Sequence, residues 1–269
     1  MLFLILLNSC SGGVASGYSI PNMSQAMVER LYFFDYDDSE VSAKDTITKE
    51  EYNEILDLID RGENVNALGP QSNSLSAVLI TDIHVEGVTK KQIVDDLGSR
   101  GTNFNLTFSQ LGFFDNYSLW SELINFDREV VDSLVQYGLN LNFKDLRGNN
   151  ILFYIMEEIE HGGIEKEAAM TNILSHVENR DSFLMHRNSF DNNILHHTLI
   201  EHIYEKEHSI TSIKNAVEFL FSFLTEDQIT TLKEQINKKG DKPRDILEPD
   251  KVERLEDIKN LTSLVNLLS

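Results

Sequence analysis

The sequence predicts an all-α protein in which helical hairpins stack into a solenoid with insertions and helical caps. Three observations point there. Amphipathic helical segments recur along the chain. Each of several such segments ends on a glycine followed by an asparagine, at a spacing that nearly repeats. Only 4 of the 269 residues are proline, the residue least tolerated inside helices.

The repeated helix end appears three times, in Ile55–Asn66, Val94–Asn105 and Val131–Asn142. The stop glycines are Gly62, Gly101 and Gly138, 39 and 37 residues apart. Each reads as a helix closed by a residue in the left-handed region, where glycine carries no Cβ penalty. A second pattern marks the start of the next hairpin. It runs Asp145–Phe153, returns at Asn188–His196 and again at Asn237–Asp245. Gly148, Asp191 and Gly240 hold its turn position, 43 and 49 residues apart.

Together these segments resemble the ankyrin repeat, whose pattern opens D-x-x-G-x-T-P-L-H and closes L-L-x-x-G-A-x-x-N. Ser74-Leu75 and Ser118-Leu119-Trp120 fit the Pro-Leu-His slot loosely. The resemblance covers roughly residues 48–250 and implies that Leu75, Leu119, Leu152 and Leu195 are buried first-helix leucines. Their spacings of 44, 33 and 43 imply insertions in most repeats. Such a hairpin cannot bury its apolar face alone, so neighbours must stack.

Capping boxes are expected at Thr48–Glu51, Thr89–Gln92 and Thr225–Gln228. Ser212–Leu224 reads as a strongly apolar helix carrying Val217, Leu220, Phe221 and Leu224 on one side. Lys251–Leu268 and Met23–Phe34 read as caps at the two ends, so that residues 23–269 make a single solenoid.

With 41 % hydrophobic residues and 15 Phe, the chain can build a core and is not a disordered protein. The formal charge is −21. Residues 1–150 carry 10 basic and 22 acidic side chains, and residues 151–269 carry 13 and 22. Acidity this even repels nucleic acid and anionic lipid head groups and either favours a basic protein partner or only keeps the chain soluble. The single cysteine, Cys10, excludes an intrachain disulfide and a cysteine zinc cluster.

Cys10 follows the apolar run Met1–Leu7 and the pair Asn8-Ser9. Leu7–Cys10 resembles the lipobox that ends a bacterial lipoprotein signal peptide. The resemblance implies a signal peptide over residues 1–9, a lipid on Cys10 and a flexible tether over 10–22. With Ser11 after the cysteine, it also implies an outer-membrane lipoprotein facing the periplasm. Two features depart from the pattern: no basic residue precedes the apolar run, and the run is short.

Few residues in the chain stand in a pattern that carries chemistry. Asp35, Asp37 and Asp38 suggest a calcium loop, but its sixth and twelfth places hold Glu40 and Thr46 instead of Gly and Glu. The cluster follows Tyr32–Phe34 and reads as an acidic, aromatic docking patch or a solvated loop. His197 and Glu201 stand one helical turn apart and could share a metal ion given a third ligand. His196 occupies the position where the ankyrin resemblance implies a structural histidine, so no metal and no cofactor is assigned. No G-x-S-x-G elbow and no phosphate-binding glycine loop is present, and no enzyme activity is expected.

The resemblance places binding on the projecting turns, near Leu68–Asn73, Leu106–Asn116, Phe143–Arg147 and Ser189–Phe190. The expected partner-binding residues are Phe108, Phe113 and Phe114 in the longest turn, which alternatively pack back onto the stack, then Lys144, Asp145, Arg147 and Phe190, with Asp35, Asp37 and Asp38. The expected role is an envelope-tethered binder, in its sharper form an immunity protein that neutralises a basic toxic effector. The alternative is a cytosolic or secreted scaffold with no antitoxin role.

Overall fold

A computed structural model describes residues 22–34, 41–70, 74–105, 119–120, 122–145, 147–157, 159, 164–201, 209–247 and 255–269. The chain is mostly helical, 59 % helix against 7 % strand, which agrees with the expected class. It divides into two compact units. One comprises residues 1–119 and 127–140, the other residues 120–126 and 141–269.

The first unit opens on helix α1 (Gln25–Leu31), capped by the Ser24 hydroxyl. The expected cap over Met23–Phe34 is therefore helical only in part. Its Tyr32–Phe34 end leaves the helix as strand β1 and pairs antiparallel with β2 (Val41–Ala43). Strands β3 (Thr46–Ile47) and β4 (His84–Val85) pair in parallel. Helix α2 (Lys49–Asp60) starts in a full capping box, with Glu51 and Thr48 each satisfying the other's backbone N–H. Leu75–Ala77 (α3) continues as a π-turn over Val78–Asp82, and α4 spans Lys90–Ser99. Thr89 caps α4 through the Gln92 N–H at 3.1 Å. Helix α5 (Arg128–Gln136) packs on α4. Gly98 makes room there, since a Cβ would lie 2.3 Å from the Tyr137 ring.

The repeated helix ends behave alike. Gly62, Gly101 and Gly138 all have positive φ. Asn66 then accepts the Asn103 N–H at 2.7 Å and donates to the Gly101 carbonyl at 3.3 Å. One repeat later, Asn105 accepts the Asn140 N–H and donates to the Gly138 carbonyl, both at 2.7 Å. The asparagine that follows one helix end thus grips the loop after the next.

The second unit contains a 3₁₀ turn (Glu122–Asn125), α6 (Ile151–Glu157), α7 (Ile164–Ser175), α8 (Arg180–Leu184) and α9 (Ile194–Ile200). Then come α10 (Ile210–Phe221), α11 (Glu226–Glu234), a 3₁₀ turn (Pro243–Ile246) and α12 (Leu255–Leu268). The Thr225–Gln228 capping box opens α11. Helix α6 packs on α9, α9 on α10, and α10 on α12. Ile151–Met156 of α6 and Ile194–Leu199 of α9 are buried throughout, so both are interior helices. Leu75, Leu119, Leu152 and Leu195 are all fully buried.

Candidate functional site

Three turns in the second unit share one construction. Each begins with a short polar anchor: Asp145, Asn188 or Asn237, all at most 8 % exposed. The anchor's side-chain oxygen accepts the backbone N–H four residues on, at Asn149 (2.7 Å), Asn192 (3.1 Å) and Asp241 (3.1 Å). The anchor's own N–H donates to the carbonyl of that same residue, at 2.9–3.0 Å. The residue between them, three after the anchor, has φ of +77° at Gly148, +58° at Asp191 and +91° at Gly240. Small polar anchors that bond their own backbone favour such turns over helix or strand.

The turns also bond to one another. The Ser189 N–H donates to the Arg147 carbonyl at 2.7 Å, and the Lys238 N–H donates to the Phe190 carbonyl at 3.0 Å. Beneath them, Asn188 donates to Asn149 Oδ1 at 2.9 Å. His186 Nε2 meets the Gly148 carbonyl at 2.6 Å, and His196 Nε2 meets the Asp241 carbonyl at 2.9 Å. Asn150 and Asn193, each just ahead of a helix, reach the Phe183 and Leu232 carbonyls at 2.9 and 2.7 Å. Backbone hydrogen bonds therefore link the three turns into one row.

The outer face of this row carries Lys144, Arg147, Lys238 and Lys239, all exposed, with Arg187 half-buried beside them. Phe190, 55 % exposed, is one of the large apolar side chains that the described residues leave open to solvent. Residues 144–148, 187–191 and 237–242 hold six basic and three acidic side chains, the reverse of the chain-wide balance.

Of the residues expected to bind a partner, Lys144 and Arg147 lie on the first turn and Phe190 on the second. Asp145 requires a correction. Its carboxylate points inward and accepts from the Asn149 N–H, the Asn149 side chain (3.0 Å) and the Tyr154 hydroxyl (2.5 Å). Burial, and then the Asp145 contact, push the Tyr154 hydroxyl pKa up. Asp145 builds the turn. Phe108, Phe113, Phe114, Asp35, Asp37, Asp38 and Cys10 lie outside the described residues. Sequence reasoning missed Lys238 and Lys239, while Arg187 donates to the Asp191 and Ile236 carbonyls and so braces the turns. The signal for them was the third occurrence of the turn pattern, which aligns Lys238 and Lys239 with Ser189 and Phe190.

The His-rich stretch separates into two roles. His196 is fully buried and serves the third turn. His197 points elsewhere: its Nε2 lies 2.9 Å from Glu157 Oε1, and its Nδ1 lies 3.9 Å from Glu201 Oε1. The Phe153 ring packs 4.9 Å from the imidazole. Glu157 ends α6, 40 residues before His197, and spacing alone gave no reason to pair them.

No family model matches the chain, and no curated protein matches it in sequence. Among the described residues, no helix is long and apolar enough to cross a membrane.

Proposed function

We propose that the protein is a binding module that grips another protein through its row of interlocked turns, with Phe190 as anchor. The observation that carries this reading is an exposed aromatic set among exposed cations on turns fixed by backbone hydrogen bonds. Little order has to be imposed when a partner docks there, and aromatic and arginine side chains dominate binding energy at interfaces. In this reading the Gly-x-x-x-Asn grips and the anchored turns are those of a divergent ankyrin-type array.

The same proposal tethers the module to the cell envelope through a lipid on Cys10 and assigns it an immunity role against a basic effector. Support comes from the lipobox resemblance and from the charge of −21, which steers a basic partner in from a distance. The basic row then contacts acidic or carbonyl groups on that partner at close range.

The test compares wild-type protein with Phe190→Ala and Arg147→Glu as baits in native envelope extract. A partner retained by wild type and lost by both folded variants supports the reading. Equal retention by all three sinks it. Cys10→Ala should abolish palmitate labelling and release the protein from the membrane fraction, and unchanged fractionation would refute the tether.

A further inference from the structure

Where α6 packs on α9, the contact encloses three groups that apolar helix packing normally excludes. The side chains of Glu157 and His197 are each 8 % exposed, and that of Glu201 is 19 % exposed. Burying such groups is costly, and a bound cation offsets that cost.

One ligand atom from each residue can be chosen so that all three lie within 4.8 Å of one another. We propose that Glu157, His197 and Glu201 bind a divalent transition-metal ion of the zinc class, which clips α6 to α9. The donor set selects the class. Imidazole with carboxylate suits zinc and its first-row neighbours, whereas calcium and magnesium favour oxygen donors alone.

His197 Nε2 and Glu157 Oε1, hydrogen-bonded at 2.9 Å, need open by only about 0.5 Å to share one ion. Glu201 is the more open of the two carboxylates and has a flexible stem. For tetrahedral zinc, with ligands about 3.4 Å apart, the widest pair closes by up to about 1.4 Å from the 4.8 Å limit. The Phe153 ring against the imidazole leaves the histidine little freedom, so the carboxylate moves to the ion and the imidazole stays in place. The clip joins the helices that follow the first and second turns, and it stands whether or not those turns bind a partner.

The test uses the full chain, stripped of metal with chelator and titrated with Zn²⁺ and, separately, Co²⁺. The expected result is uptake of a single equivalent, a thermal midpoint that rises with Zn²⁺, and visible d–d absorption with Co²⁺. Seven of the 8 histidines lie outside the cluster, so variants locate the site. Glu201→Gln, at the most exposed ligand, should weaken Zn²⁺ binding about 10-fold or more. His197→Asn should abolish the cobalt absorption. No uptake by the wild type overturns the proposal, and so does equal Zn²⁺ affinity in Glu201→Gln, even if His197→Asn fails to fold. A midpoint that rises as much with Mg²⁺ or Ca²⁺ overturns the assignment to the zinc class.

Discussion

The side chain of Asn105 donates to the Gly138 carbonyl at 2.7 Å across a gap of 33 residues. Its Oδ1 accepts from the Asn140 N–H, so one amide closes both bonds. Asn105→Ala should therefore lower the stability of the first unit by about 1–2 kcal/mol, read from a urea midpoint. Asn105→Asp should cost at least as much. It keeps the acceptor but turns the donor into an oxygen facing a carbonyl. An aspartate variant as stable as wild type would contradict this.

The first turn offers a steric test. At Gly148, φ is +77° and a Cβ would lie 2.9 Å from Ser189 Oγ and 3.0 Å from the Ser189 nitrogen. The second contact is backbone and cannot swing aside. Gly148→Ala should cost about 2–3 kcal/mol. The mirror experiment is Asp191→Gly. Asp191 is the described non-glycine residue with positive φ, and relieving it should gain up to about 1 kcal/mol. Chemical denaturation of both variants decides the matter.

Asp145 is expected to behave as a framework residue. Tyr154→Phe removes its hydroxyl donor and should destabilise by about 1.5–3 kcal/mol, the range for a bond to a charged acceptor. Asp145→Ala should cost more, since three donors lose their partner. A folded, fully stable Asp145→Ala that has lost only partner binding would return the residue to the binding surface.

Acid should loosen the turns. Burial holds His186 and His196 below the usual histidine range, against the opposing pull of the Gly148 and Asp241 carbonyls. With the folded value depressed, the unfolded chain takes up protons first. Stability from these groups is complete above the ordinary value of 6.5 and declines as the pH falls below it. Urea midpoints measured from pH 8 to 5 should fall with acid. His186→Gln should flatten that dependence, and an unchanged slope would rule its titration out as a cause.

Phe190→Ala should leave stability within about 0.5 kcal/mol of wild type, because the ring is 55 % exposed. Binding should fall while the thermal midpoint stays put. Loss of both together would mean that the ring supports the turn.

The helical class, the glycine stops and two reciprocal capping boxes were legible because each depends on residues close in sequence. Gly62, Gly101 and Gly138 announce themselves by a helix before and an asparagine after. The strand at Tyr32–Phe34 was not legible. An apolar run there fits helix or strand equally, and pairing with Val41–Ala43 decides it. Asp145 misled for a related reason, since an acidic residue in a turn reads as exposed until the Tyr154 hydroxyl is seen reaching it. Glu157 was out of reach altogether. Nothing local distinguishes it from a solvated glutamate, and its meaning arises from the packing of α6 on α9.

The bonds from Ser189 to Arg147 and from Lys238 to Phe190 run between peptide groups. They hold the turns in line whatever side chains those four positions bear. Mutation can therefore exchange an arginine for a serine, or a phenylalanine for a lysine, without unfastening the row. The side chains that the row presents can vary while the backbone that presents them keeps its place.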